Sequence, residues 1–188
     1  MVRSFLFFVY TAVMTACILL LGTGCSLQTK SIVKEINKNS TFEIPLLTKA
    51  DEDLFSEDYI VIPGHGITGY YHKKYSDNNQ ENPDVVYDCS VIYHVTRYPD
   101  ILFGKSCVTR VDVTDPAVAV YGFSVGDNVA DMQSFLLSKG FKIFSQANHL
   151  IKYNKGEVQI RIGVNYEEQT INCICVDINT SNITGAIF

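Results

Sequence analysis

No stretch of this 188-residue sequence gathers lysine or arginine into a basic patch, and acidic residues outnumber basic ones 20 to 15, for a formal net charge of -5. Nothing could track a phosphate backbone, which argues against nucleic acid as a partner and gives no support to electrostatic adhesion to anionic lipid. Tryptophan is absent and proline is scarce, at five residues, but 11 Tyr and 11 Phe supply aromatic bulk for a packed core and argue against disorder. The four histidines, His65, His72, His94 and His149, are scattered. A hairpin could at most bring His65 and His72 together. With no HExxH and no closed Cys/His spacing, neither a metal site nor a cofactor motif is expected.

What is plentiful comes first in the chain. Arg3 is a short positive lead, Phe5 to Leu21 is an unbroken apolar or weakly polar run, and Gly22-Thr23-Gly24 brings small residues up to Cys25. That is the layout of a secretory signal. The small residues before Cys25 resemble the lipobox of bacterial lipoproteins, in which the thiol receives a diacylglycerol and becomes the first residue after cleavage. The resemblance implies removal of residues 1–24, lipidation of Cys25 with palmitate-like chains, and a body bound to a bacterial cell membrane facing outside the cytoplasm. A thioether-linked diacylglycerol plus an amide-linked acyl chain exceeds the roughly two-chain requirement for stable attachment. Three alternatives stay open, one of them plain secretion without a lipid. Met14-Thr15-Ala16-Cys17 is a second such box, and about 17 apolar residues is the lower limit for an uncleaved spanning anchor. Removing the signal leaves 14 basic against 20 acidic residues, a net charge of -6, and enough chain for one ordinary domain or two small ones.

Beyond the anchor stand Cys89, Cys107, Cys173 and Cys175. An extracytoplasmic setting permits disulfides, and four thiols allow three full pairings. If the strands around Cys89 and Cys107 form a hairpin about Pro99 and Asp100, those two thiols lie on the order of 20 Å apart, beyond bridging distance. Any bridge then joins Cys89 or Cys107 to the strand carrying Cys173 and Cys175. Four buried, reduced thiols are the alternative. Cys173-Ile174-Cys175 puts two thiols on one strand face, whereas redox CxxC pairs sit at a helix N-terminus that lowers a thiol pKa.

Residues 25–57 are rich in Lys, Asn, Ser, Thr and acid and read as a flexible tether. A β-rich part is expected over 58–117. Strands are predicted at Tyr59 to Pro63, Ile67 to His72, Val85 to Val95 and Cys107 to Val113. In the third, Cys89, Val91, Tyr93 and Val95 share one face and Ser90, Ile92 and His94 the other. In the fourth, Cys107, Thr109, Val111 and Val113 oppose Arg110 and Asp112. A second module is expected over 118–188. Asp127 is a candidate N-cap, and Val129, Met132, Phe135 and Leu136 recur at helical spacing before Gly140. Strands follow at Phe141 to Ser145, His149 to Tyr153, Glu157 to Val164 and Thr170 to Ile178. The expected fold class is α+β, an antiparallel sheet with one main helix packed on the C-terminal meander. Tyr70, Tyr71 and Tyr75, near an Asn-rich loop, are candidates for a recognition surface.

Gly122-Phe123-Ser124-Val125-Gly126 fits the G-x-S-x-G pattern of a nucleophile elbow. Only His149 lies downstream, among strands, so a strand turning into a helix accounts for the same residues. Phe123-Ser124-Val125-Gly126, Val129 and the run from Leu136 to Gly140 are similar to a motif of small periplasmic modules. Those modules are the outer-membrane assembly lipoprotein called small protein A and the β-lactamase inhibitor proteins. The likeness covers about residues 121–178 and implies a protein-binding or envelope-scaffolding role with no catalytic residues. The expectation is a non-enzymatic lipoprotein that binds an envelope or extracellular protein. The alternatives are an exported hydrolase using Ser124 and a thiol- or metal-binding protein.

Overall fold

Residues 27–39 form a helix, α1, because Ile32, Val33 and Ile36 fall on one side of it while Lys34 and Lys38 fall on the other. The three aliphatic side chains are 3, 2 and 0% exposed, each contributing about 1.5–3 kcal/mol of burial. The segment after it returns along the body. Asn37 ties it, its Nδ2 donating to Leu46 O at 2.9 Å and its Oδ1 accepting from Leu46 N at 3.0 Å. Ile44 and Leu46 are buried. Leu47 N donates to Val108 O, Val108 N to Thr48 O and Ala50 N to Ser106 O. Residues 27–50 are therefore packed on the body, where a flexible tether over 25–57 is expected from composition. Three core side chains among many polar ones were enough to fix the helix.

The computed structural model describes residues 27–50, 53–55, 57–62, 67–72, 90–97, 106–147 and 149–179. Cys17, Cys25, His65, Tyr75 and Cys89 lie outside them, as do the side chains of Tyr71 and His72.

Four strands follow α1: β1 (Tyr59–Ile62), β2 (Ile67–His72), β3 (Val91–Arg97) and β4 (Ser106–Val113). A second helix, α2 (Val129–Ser138), precedes β5 (Lys142–Ala147), β6 (Leu150–Lys155), β7 (Val158–Asn165) and β8 (Thr170–Ile178). All eight strands make one antiparallel sheet in the order β1-β2-β3-β4-β8-β7-β6-β5. The chain thus runs twice through a helix and a four-stranded meander, and the two halves meet where β4 pairs with β8.

The expected α+β class holds, with two helices among the described residues in place of one main helix. The two halves share a single core. Val91, Tyr93 and Val111 of the first and Ile160, Ile162 and Val176 of the second join Ile36 of α1 and Met132 and Leu136 of α2 in one buried cluster.

The start of α2 differs from expectation by one residue. Asn128 is the N-cap, its Oδ1 accepting from Ala130 N at 2.8 Å and Asp131 N at 3.3 Å. Asp127 instead accepts from Ser124 N at 2.7 Å and closes the preceding turn. At the other end Gly140 takes φ +81°. Gly140 N donates to Leu137 O and Phe141 N to Leu136 O, the paired bonds that satisfy the last helical carbonyls.

Candidate functional site

The sheet face opposite the shared core carries a lattice of polar side chains at the junction of the two halves. Strand register builds it. His94 pairs with Arg110, Arg110 with Asp177 and Asp177 with Gln159, forming one line across β3, β4, β8 and β7. Ile92, Asp112, Cys175 and Arg161 form the next line.

A bulge shapes its lower edge. His94 pairs with Arg110 but Val95 pairs with Val108, so Thr109 has no opposite residue. Two consecutive residues then face the same way. The strict alternation expected for Cys107 to Val113 is therefore broken, with Val108 joining the core in place of Thr109. Thr109 instead meets Thr96 through their hydroxyls at 2.7 Å.

The charged groups of the lattice bond to one another. Asp112 accepts from His94 Nε2 at 2.8 Å and from Arg110 Nε and a terminal guanidinium nitrogen at 2.9 and 2.7 Å. Burial acts to raise the Asp112 carboxyl, but the bonds from His94 and Arg110 outweigh it and hold the group well below the usual carboxylate range. Burial likewise opposes the charge on Arg110, and Asp112 more than offsets it. Arg161 donates to Cys175 Sγ at 2.9 Å and to Asp177 at 3.3 Å, while its Nε is buried without a partner. Burial, then the charge of Asp112, push the Cys175 thiol far above its ordinary range.

Beside the lattice is a cavity of about 340 Å³, lined by polar Thr96, Thr109, Arg110, Gln159 and Asp177 and by apolar Ile67 and Ile178. The lattice offers fixed donors and acceptors, and the Cys175 thiol in it is buried and held protonated.

Of the cysteines that the sequence singled out, Cys175 belongs to the lattice and Cys173 lies two residues before it on β8, both as free thiols. The remaining candidates lie elsewhere. Cys107 is buried on β4, opposite Thr96. Asp112 faces Cys175, so Cys107 is five residues further along β4, about 17 Å away, outside disulfide reach. Ser124 and His149 do not meet. Gly126 N bonds Ile171 O and Val164 N bonds His149 O, and Ile171 pairs with Val164. β7 and β8 therefore separate the two, by about 14 Å at the usual strand spacing. His149 bonds Val164 O through Nδ1 at 3.2 Å and its ring lies 5.3 Å from Tyr166. Tyr70 is also elsewhere, since it stacks on Phe55 at 3.8 Å and packs against the core rather than serving an open recognition surface. Among the described residues no group of three or more His, Cys, Asp or Glu side chains is placed to hold a metal ion.

Alternation had already put His94, Arg110 and Asp112 on non-core faces, which was the available signal. The hairpin register that joins them, and the partner strand β8, could not be read from one strand at a time. Comparison with family models, with curated proteins and with solved structures gives no match.

Proposed function

We propose that this chain is an extracytoplasmic lipoprotein, anchored through Cys25, whose body is a non-catalytic protein-binding module that uses the polar sheet face for recognition. The observation that carries the reading is the hydrogen-bonded lattice of His94, Arg110, Asp112, Arg161 and Asp177 beside a mixed polar and apolar cavity. Charged groups fixed by mutual bonds present a preorganised pattern, and preorganisation favours binding because little side-chain freedom is lost on contact. The partner is an envelope or extracellular protein. The motif likeness of residues 121–178 to small periplasmic binding modules supports the same role, with α2 covering the β5–β8 half and leaving the other sheet face for the partner.

Photo-crosslinking in a bacterial host tests this. A photoreactive residue at position 96 or 159, on the polar face, is expected to capture a discrete protein band that position 131, on the exposed side of α2, does not. Equal capture from all three positions, or none from 96 and 159, overturns the assignment of the face.

A further inference from the structure

Helical backbone begins no later than Leu27, two residues after Cys25. Two residues of extended chain span at most about 7 Å. The early part of α1 is not free to lift away, because Thr29 is 1% exposed and Ile32 3%. A lipid on Cys25 therefore leaves no spacer between bilayer and body. We infer that the folded domain lies directly against the membrane with one defined end down, an inference that rests on the lipidation proposed above.

The end that faces the lipid can be named. A Cβ built on Gly156 would lie 3.6 Å from Thr29 Oγ1, 3.7 Å from Ile32 Cδ1 and 4.0 Å from Gln28 Oε1. The β6–β7 turn thus sits against the first turns of α1. Lys155 Nζ donates to Lys139 O at 2.6 Å, which brings the C-terminus of α2 to the same end. Asn179 N donates to Glu157 O, which brings the end of β8 there too. Leu27, 64% exposed, adds an apolar contact at this surface.

The charge distribution fits that orientation. Lys30, Lys139, Lys142 and Lys155 lie toward this end, set against Glu157 and against Glu35, which pairs with Lys139 at 2.8 Å. At the opposite end, Val129 N bonds Gln169 O and Ile171 N bonds Asp127 O. There Asp127, Asp131, Glu167 and Glu168 are all exposed. Among the described residues the basic end thus faces the bilayer and the acidic end faces outward, the polarity that an anionic lipid surface favours. β7, eight residues long, separates the two ends by about 27 Å. The cavity lies toward the membrane end, since Gln159, Ile178 and Asn179 line it. A partner must therefore approach along the bilayer surface.

The test uses the lipidated protein in vesicles of phosphatidylethanolamine and phosphatidylglycerol doped with headgroup spin-labelled lipid. A fluorescent amino acid is placed at position 157, distant in sequence from the anchor, or at position 168. Emission at 157 is expected to be strongly quenched and emission at 168 to stay at its value in undoped vesicles. A Gly-Ser insertion of about ten residues after Ser26, long enough to lift the body well beyond lipid contact, is expected to relieve the quenching at 157. Acyl labelling of the same samples separates the two ideas. Intact acylation with no quenching at 157 overturns the orientation alone, and absence of acylation from Cys25 overturns the anchor and this inference with it.

Discussion

Replacing Ile36 with alanine tests whether α1 is part of the folded body. Ile36 is fully buried and belongs to the same cluster as residues of both meanders. Truncating it removes burial free energy and leaves a cavity that the surrounding sheet cannot fully collapse into, a combined loss of about 2–5 kcal/mol. At a urea m-value of about 2 kcal/mol/M, a loss of about 3 kcal/mol lowers the unfolding midpoint by about 1.5 M. The assay is equilibrium urea unfolding of the signal-free protein, followed by tyrosine fluorescence and far-UV circular dichroism. Ser31→Ala, at an exposed position on the same helix, should stay within about 0.5 kcal/mol of wild type. A midpoint for Ile36→Ala equal to that of Ser31→Ala is what an unpacked tether requires, and it would refute the packing argument.

Asp112→Asn leaves Arg110 and His94 short of their shared acceptor, and the loss should fall at the low end of the roughly 3–5 kcal/mol seen when a buried pair is broken. Because the Asp112 carboxyl is held below its ordinary range, it contributes stability that is full above the unfolded value of about 4 and is lost as pH falls below it. Thermal melts from pH 6 to pH 2 should show a shallower acid slope in Asp112→Asn, and parallel slopes would reject the linkage. Gly163→Ala should lower the melting temperature, since a Cβ there would meet Asn172 Oδ1 and come 2.5 Å from Cys173 Sγ, and such overpacking costs about 1–3 kcal/mol. Adding Cys173→Ala should recover part of the loss. Iodoacetamide at pH 8 should leave Cys175 unmodified in the native protein, because the thiol is both buried and pushed up. Mass spectrometry of tryptic peptides reads this directly, and fast alkylation at Cys175 would contradict it.

Legibility in the sequence followed the strength of the local pattern. Val158, Ile160, Ile162 and Val164 alternate without exception, and β7 lies where that pattern sets it. The α2 segment was legible too, except that Asn128 rather than Asp127 holds the free amides, a choice decided by one residue of backbone turn. α1 was hidden because Ile32, Val33 and Ile36 are its only core residues, among lysines and asparagines that equally suit a linker. Thr109 was misassigned because a bulge resets strand parity at a position that no composition marks. The polar lattice depended on β4 meeting β8, a pairing between strands whose sequences carry no mutual signal.

That pairing also sets the order of events as the chain collapses. Every other contact between neighbouring strands in the sheet joins consecutive elements, so each half can assemble as a run of local hairpins. The β4–β8 seam must bring together residues such as Val113 and Ile174, and closing a loop of about 60 residues carries an entropic penalty of about 4 kcal/mol. The seam is thus the high-contact-order step of folding. Until it forms, two half-sheets expose the edges of β4 and β8, and the time before they meet is the interval in which a neighbouring chain could take either place.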